Sequence, residues 1–146
     1  MVGLLDVNVL VALAWPNHIH HGVALDWFHG RARDGWATCS VTETGFVRVS
    51  SNEAVLPDAR APAEAAALLR RIVALPHHTF WKDDLRFAAS PFVSLDKVIG
   101  YRQVTDAHLL GLALRHRGRL VTLDARIKAL IPPDRRAEVA VHVISV

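Results

Sequence analysis

The sequence predicts an α/β fold with a largely parallel central sheet flanked by helices. Short runs of β-branched and other apolar residues alternate along the chain with longer stretches of helical periodicity. Proline or glycine stands at several of the boundaries between them, where it ends a helix or turns the chain. Because helices connect successive strands, the strands are expected to run parallel and to be covered by helices.

The first four elements are predicted from apolar pattern and helix breakers. The apolar run 2–7 predicts a buried strand, and residues 7–15 continue as an apolar helix that stops before Pro16. An amphipathic helix is predicted over 18–33, because its apolar residues recur at helical spacing. A short strand is predicted at 36–40.

The same alternation continues to the carboxyl terminus. Thr105 is expected to be the N-cap of a strong helix, because its hydroxyl can accept a hydrogen bond from a free backbone N–H. The predicted elements are a helix at 41–50, a helix at 62–75, a strand at 77–81, a helix at 105–116, a strand at 119–123, a short helix at 125–130 and a strand at 139–145.

Composition restricts the class of protein. The chain has 146 residues, 51% of them hydrophobic, so a single domain with a buried core is expected. The lone cysteine, Cys39, excludes an internal disulfide and a cysteine-cluster zinc site, and it is typical of a cytoplasmic protein. No apolar run reaches the ~18 residues of a membrane helix, and the amino terminus lacks the basic region of a signal peptide.

The charge balance points to a polyanionic partner. There are 17 Lys and Arg residues against 14 Asp and Glu residues, a formal net charge of +3. A mildly basic, arginine-biased surface favours a partner such as RNA, although it says nothing about chemistry.

Four acids stand in the same position relative to predicted helices. Apolar residues follow three, four or seven positions after Asp6, Glu43, Asp106 and Asp124, and these offsets define one helical face. Each acid therefore lies at the amino-terminal end of a stripe that should face the core. Any one of them alone is explained by helix capping, since acids are favoured in the first turn of a helix.

Together the four acids predict a metal site. Asp6 and Asp124 end predicted strands, and Glu43 follows another, so these side chains should meet Asp106 at the carboxyl edge of the sheet. Carboxylates gathered there repel one another unless a cation neutralises them. Oxygen ligands favour Mg²⁺ or Mn²⁺, and an acidic metal pocket in a basic protein suits phosphodiester hydrolysis.

Four segments carry a resemblance to a known family. They are Leu-Asp-Val-Asn-Val-Leu at 5–10, Ser-Val-Thr-Glu-Thr-Gly-Phe at 40–46, Val-Thr-Asp-Ala-His-Leu at 104–109 and Leu-Val-Thr-Leu-Asp at 120–124. In this order the chain resembles the PIN-domain ribonucleases, specifically the VapC-type toxins of bacterial toxin–antitoxin pairs. The resemblance implies one PIN domain over 1–146, with a three-layer fold around a mainly parallel sheet.

The resemblance also implies the active site of a Mg²⁺- or Mn²⁺-dependent endoribonuclease. Asp6, Glu43, Asp106 and Asp124 would be its metal-binding and catalytic acids, with Asp6 and Asp106 as direct ligands. Glu43 would orient or deprotonate the attacking water, and Asp124 would bind the ion directly or through water.

Two polar residues are expected to support these acids. Asn8 would hydrogen-bond and orient Asp6. Thr122 lies two residues before Asp124 and would contact a metal-held water or the phosphate. Many relatives carry a further Asp two residues after the fourth acid, where this chain has Arg126, so we expect one tightly held ion, with any second ion recruited with the substrate.

The implied partners are an RNA substrate, a cognate antitoxin and a second copy of the chain, with DNA bound only indirectly through the antitoxin and no membrane association. Two other functions remain open at this point. One is a non-catalytic PIN-fold module that binds RNA or protein, and the other is a metal-dependent DNA nuclease.

Overall fold

The computed structural model describes residues 1–146 and contains one five-stranded sheet. The strands are β1 (Gly3–Leu5), β2 (Trp36–Cys39), β3 (His78–Trp81), β4 (Arg119–Thr122) and β5 (Val141–Val143). They lie in the order β3-β2-β1-β4-β5, and every neighbouring pair is parallel. The predicted α/β class and parallel sheet are confirmed.

Helices connect the strands and cover both faces of the sheet. They are α1 (Val7–Ala14), α2 (His21–Arg31), α3 (Ser40–Ser50), α4 (Pro62–Val73), α5 (Val104–Arg115) and α6 (Ala137–Ala140). Short 3₁₀ turns occupy Ala32–Asp34, Phe87–Ala89, Leu95–Lys97, Tyr101–Gln103 and Ala125–Leu130. No helix is both long enough and apolar enough to cross a membrane.

Alternate side chains of the central strands enter two separate cores. Leu4 and Leu120 point to the face that is covered by α5, where they pack in one apolar cluster with Leu109. Leu5 and Val121 point to the opposite face, which is covered by α1 to α4. All these side chains are almost completely buried, as expected for a parallel sheet between two helical layers.

The strand order places a switch point between β1 and β4. From β1 the chain proceeds outward through β2 and β3, and then returns to pair β4 with the other side of β1. Connections leave β1 and β4 in opposite directions, which opens a crevice at their carboxyl ends. Asp6 follows β1 directly, and Asp124 lies two residues beyond the end of β4.

Some predicted boundaries are wrong. Thr105 lies inside α5, because the turn Tyr101–Gln103 leads into the helix and Gln103 occupies the cap position. Of the strand predicted at 139–145, only Val141–Val143 pairs with β4, since residues 139 and 140 complete the one-turn helix α6. The second helix begins at His21 rather than at residue 18, after a turn in which the Trp15 carbonyl accepts from the His18 N–H.

Gly118 is required where α5 meets the sheet. The N–H groups of Arg117 and Gly118 donate to the Leu114 and Ala113 carbonyls, and Arg117 has a φ of 58°, so the helix ends in a Schellman motif. A β-carbon on Gly118 would lie 2.5 Å from the Val2 carbonyl oxygen. That oxygen accepts a hydrogen bond from Arg119 N at the start of β4, so it cannot move without disturbing the sheet.

We expect Gly118→Ala to lower the free energy of unfolding by about 2 kcal/mol, because the added methyl group overlaps backbone. Gly30→Ala is the matched control, since nothing lies within 4 Å of a β-carbon at this position on α2. That control should stabilise the chain by about 0.5–1 kcal/mol through its effect on helix propensity. Urea denaturation measures the free energy of unfolding of both variants. Equal effects of the two substitutions would contradict the close contact between Gly118 and the Val2 carbonyl oxygen.

Candidate active site

Asp6 is oriented by hydrogen bonds to both of its carboxylate oxygens. It is the N-cap of α1, and its Oδ1 accepts from the Val7 backbone N–H at 2.7 Å. Its Oδ2 accepts from the Thr122 hydroxyl at 2.7 Å across the β1–β4 junction. Burial raises the pKa of Asp6, and these two hydrogen bonds oppose the rise by favouring the ionised form.

The Thr122 hydroxyl is a junction for three neighbours. It donates its proton to Asp6, and it accepts from Asn8 Nδ2 at 3.2 Å and from the Asp124 backbone N–H at 3.1 Å. One proton and two lone pairs are the full capacity of a hydroxyl, and the side chain is completely buried. Thr122 therefore has no group left for a metal-held water or a phosphate, contrary to the expected contact.

Asn8 acts on Asp6 through Thr122 rather than directly. Its side-chain oxygen accepts from the Leu123 N–H at 3.3 Å, and its amide nitrogen donates to the Thr122 hydroxyl. The amide thereby joins α1 to the end of β4. The expected direct hydrogen bond from Asn8 to Asp6 is replaced by a contact through the Thr122 hydroxyl, and the supporting role of Asn8 stays a prediction.

Asp106 projects from the first turn of α5 and has no hydrogen-bond partner within the protein. Burial, followed by the negative charges of Asp6 and Asp124, raises its pKa from 3.8 to about 6. A raised carboxyl pKa of this origin identifies a site where like charges have been gathered.

Asp124 is held by Arg126, two residues further along the chain. The guanidinium donates through Nε to Oδ1 at 2.9 Å and through Nη2 to Oδ2 at 2.8 Å. The Arg126 backbone N–H also donates to Oδ1 at 2.9 Å. These contacts lower the pKa of Asp124, with the side-chain hydrogen bond as the largest cause.

Asp6, Asp106 and Asp124 line one cleft of about 580 Å³ at the switch point. Its opposite wall comes from the loops that follow α1 and α3, and the wall includes Asn17, His18, Ile19, Val55 and Leu56. Three of the four predicted acids are thus brought together at the carboxyl edge of the sheet. We call these three residues the acid cluster.

Glu43 lies apart from the acid cluster. Its Oε2 accepts from the Thr38 hydroxyl at 2.6 Å, and that hydroxyl also contacts His78 Nε2 at 2.7 Å. The side chain lines a different depression, together with Thr44, Val47, Arg48 and Leu69. Glu43 does sit in the first turn of its helix, as expected, but the carboxylate turns toward β2 and β3 because Thr38 offers it a hydrogen bond.

The three acids do not meet as a preformed set of metal ligands, but the chemistry of their side chains suits a cation. Their donors are carboxylate oxygens, which suit hard cations such as Mg²⁺ and Mn²⁺. The raised pKa of Asp106 shows that the protein alone does not neutralise the gathered charge. Arg126 hydrogen-bonds only to Asp124, although its charge also acts on Asp106.

Several residues beside the acid cluster were not identified from the sequence. His18 and Asn17 line the cleft from the loop after α1. Arg102 and Gln103 lie on the other side of Asp106 and Asp124. Their neighbourhood follows from the tertiary fold, and the only sequence signal was their position just before the third acid.

A parallel sheet with a crevice at its switch point defines a class of α/β proteins that bind ligands at the carboxyl edge of the sheet. The chain belongs to the PIN domain family, whose profile matches residues 3–131. The resemblance inferred from the four motifs is confirmed.

Curated relatives and a solved structure agree with this assignment. Ribonuclease VapC39 of Mycobacterium tuberculosis is 49% identical over 127 residues, which are 87% of this chain and 91% of the relative. Ribonuclease VapC38 of the same species is 50% identical over 129 residues, covering 88% and 89% of the two chains. A chain from the crystal structure of VapBC2 from Rickettsia felis, bound to a promoter DNA fragment, shares the fold with a TM-score of 0.66 at 12% identity, covering 99% of this chain and 100% of that chain.

We expect Thr122→Val to destabilise the fold by about 1–3 kcal/mol, because it leaves Asn8 Nδ2 and the Asp124 N–H without their acceptor. It should also weaken Mn²⁺ binding, since Asp6 loses one of the two bonds that orient it. Thr122→Ser is the control, because it keeps the hydroxyl. Thermal denaturation and calorimetric Mn²⁺ titration measure the two effects, and equal behaviour of the variants would refute the junction role.

The raised pKa of Asp106 predicts a pH-dependent stability in EDTA. Because the folded chain favours the protonated carboxyl, the contribution of this group to stability is fully present below the unfolded pKa of 3.8 and is lost as pH rises through about 6. Asp106→Asn cannot ionise, so it should be more stable than the unmodified chain at neutral pH by on the order of 1–2 kcal/mol, because solvent screens this half-exposed carboxyl.

The higher stability of Asp106→Asn relative to the unmodified chain should disappear near pH 4, where the Asp106 carboxyl is also neutral. Asp26→Asn, at an exposed position on α2, should show no comparable trend. Urea denaturation in EDTA across this pH range provides the measurement. A variant less stable than the native chain at neutral pH would contradict the like-charge cluster.

Proposed function

We propose that this protein is a divalent-metal-dependent endoribonuclease and the toxin of a toxin–antitoxin pair. The observation that carries the proposal is the acid cluster at the switch point of a PIN-family sheet. Support comes from relatives named ribonucleases, which match most of this chain at about half identity. We propose that residues 1–146 act as one PIN domain.

Asp6, Asp106 and Asp124 would hold one Mg²⁺ or Mn²⁺ ion. When bound, such an ion supplies Lewis acidity for the scissile phosphate and lowers the pKa of water. Asp6 would contribute the best-oriented carboxylate, because both its oxygens are fixed by hydrogen bonds to Val7 and Thr122. Asp106 would contribute the least constrained one, since the protein gives it no hydrogen-bond partner.

Glu43 would act at a distance from the reacting atoms. Its carboxylate is committed to the Thr38 hydroxyl and lines a separate depression. We therefore propose that Glu43 supports the β2–α3 junction instead of orienting or deprotonating the attacking water. This assignment differs from the role that the resemblance implies, and the two roles predict different kinetics.

The charge distribution supports an RNA substrate. The net charge of the chain is +3, although acids are gathered at the cleft, so the remaining surface is more basic than this total indicates. Arginines on that surface would hold the phosphates that flank the scissile bond. With one cysteine and no membrane-crossing helix, the protein would act in the cytoplasm.

The cognate partner would be an antitoxin protein that inserts a basic side chain among the acids. Arg126 already places a guanidinium against Asp124, so an acid of the cluster pairs with this kind of group. Binding to DNA would come only through the antitoxin. We also propose a homodimer, which light scattering of the purified chain would test.

We expect Asp6→Asn to lower RNA cleavage at least about a hundredfold, because the ion loses its best-oriented ligand. Glu43→Gln keeps an acceptor for the Thr38 hydroxyl and should change the rate less than about fivefold. Initial rates on a panel of RNAs and single-stranded DNAs, with Mg²⁺ or Mn²⁺, measure both. EDTA should abolish cleavage by the native chain.

Each alternative function has its own outcome in this panel. Cleavage that survives EDTA or Asp6→Asn would remove the acid cluster from the mechanism. RNA binding with no cleavage under any condition would indicate a non-catalytic module. Cleavage of DNA alone would indicate a DNA nuclease, and an equal loss from Glu43→Gln and Asp6→Asn would return Glu43 to the reacting centre.

A further inference from the structure

Asp106 and Asp124 separate the cleft from a second, smaller depression of about 200 Å³. Besides these two acids, its walls are Arg102, Gln103 and Arg126, with Ile127 and Leu130 at the base. On one side of these acids lies the cleft, whose other walls are neutral and partly apolar. On the other side lies the smaller depression, which has two guanidinium groups. We call this smaller depression the arginine depression.

Arg126 is held in place only by the acid that a metal ion would use. All its side-chain hydrogen bonds go to Asp124, and the rest of the side chain is 91% exposed. An exposed ion pair of this kind contributes at most about 1 kcal/mol. A divalent cation on Asp124 would both compete for the carboxylate and repel the guanidinium, so Arg126 would be released into the arginine depression.

Arg102 is positioned independently of the acids. Its Nε donates to the Tyr101 hydroxyl at 3.2 Å, and its guanidinium carbon lies 5.7 Å from the centroid of that ring. The turn that carries both residues is fixed, because Gln103 Oε1 accepts from the backbone N–H groups of Ile99 and Gly100. Arg102 thus presents a positive charge whether or not the acids hold an ion.

Tyr101 precedes Arg102 in the chain and presents an exposed aromatic ring beside it. The residue is 81% exposed, whereas Trp36 and Trp81 are buried in the two cores. An aromatic ring next to an arginine that lines the depression matches the two parts of a nucleotide, because the ring stacks on an unpaired base while the guanidinium group binds phosphate oxygens.

We propose that the arginine depression is a subsite for a backbone phosphate of single-stranded RNA, next to the phosphate that is cleaved. Arg102 is available to bind this phosphate whether or not the acids hold an ion, whereas Arg126 binds it only after leaving Asp124. Tyr101 stacks on the attached base. The RNA strand then runs from the cleft, across the acid cluster, into the arginine depression. This inference rests on the proposed ribonuclease function.

Exchange of Arg126 is tested by calorimetric titration of the metal-free protein with Mn²⁺. Arg126→Ala should bind the ion about two- to fivefold more tightly, because no guanidinium competes for Asp124. Arg102→Ala should bind it as the unmodified chain does, since Arg102 makes no contact with the acids. Unchanged or weaker binding by Arg126→Ala would overturn the exchange.

The phosphate subsite is tested with a fluorescein-labelled single-stranded RNA of mixed sequence that the native chain cleaves. Arg102→Ala and Arg126→Ala should each raise KM by roughly three- to tenfold with little change in kcat. Each should reduce the slope of log kcat/KM against log salt by roughly 0.7, the value for one phosphate contact on a single strand. Tyr101→Ala should raise KM more than Tyr101→Phe, which keeps the ring and loses only the hydroxyl that accepts from Arg102.

Arg136→Ala is the control for a lost surface charge. Arg136 precedes α6 and β5, so it lies toward the amino edge of the sheet, and it pairs with Glu138 instead of the acid cluster. Its KM and salt slope should match those of the unmodified chain. An equal response from Arg136→Ala would show a general charge effect and would overturn the subsite.

The two proposals fail in different ways. If the native chain cleaves RNA but Arg102→Ala and Arg126→Ala leave KM and the salt slope unchanged, the subsite is wrong and the ribonuclease function stands. If these variants change the oligomeric state in light scattering instead of KM, the surface is a contact between copies. If the native chain cleaves no RNA, the ribonuclease function fails, while the Mn²⁺ titration still decides the exchange of Arg126.

Discussion

The Thr122 hydroxyl joins the two strands that meet at the switch point. Asp6 ends β1, and Thr122 ends β4, so the bond between them closes the sheet at the place where its connections diverge. The same hydroxyl receives the Asn8 amide and the Asp124 backbone N–H, which extends the network into α1 and the following turn. Because every hydrogen-bonding position of the hydroxyl is used, the direction of each neighbour is defined with little freedom. The orientation of Asp6 and the path of the chain into Asp124 both depend on it.

The network has to act against electrostatic repulsion. Burial, followed by the charges of Asp6 and Asp124, raises the pKa of Asp106, so a fold without a cation gains stability when a proton binds there. Only Asp124 has a positive partner, and this partner comes from an exposed side chain that the core does not hold. The fold thus keeps its charges close together at a loss of stability, which is typical of a site organised for binding rather than for packing.

Much of the fold was predictable from the sequence. The periodicity of apolar residues indicates which faces are buried, and proline and glycine indicate where helices end. The sequence also predicted that three acids lie together, namely Asp6, Asp106 and Asp124. A residue at the end of a parallel strand, or at the start of the helix that packs on it, lies at the carboxyl edge of the sheet. Glu43 shows the limit of that argument. The spacing of the apolar residues after Glu43 places its backbone correctly in the first turn of the helix. The direction of its carboxylate depends on Thr38, which is close in both sequence and space, but no periodic pattern in the sequence identifies this hydroxyl as the partner. Arg102 could not be predicted as a neighbour of Asp124, because the two residues are far apart in sequence and line the same depression only when α5 packs on β4. The helix over 137–140 has a similar origin, since four residues are too few for periodicity to distinguish a helical turn from a strand.

The contact between Glu43, Thr38 and His78 determines the tautomer of the imidazole. An ionised carboxylate only accepts hydrogen bonds, so the single proton of the Thr38 hydroxyl goes to Glu43 at 2.6 Å. His78 Nε2 lies 2.7 Å from the same oxygen and must therefore carry a hydrogen. Burial lowers the pKa of His78, which favours the neutral ring, and the negative charge of Glu43 opposes this effect. The end of the β2–β3 pair thus holds a proton chain directed from imidazole through hydroxyl to carboxylate, with the ring in one orientation.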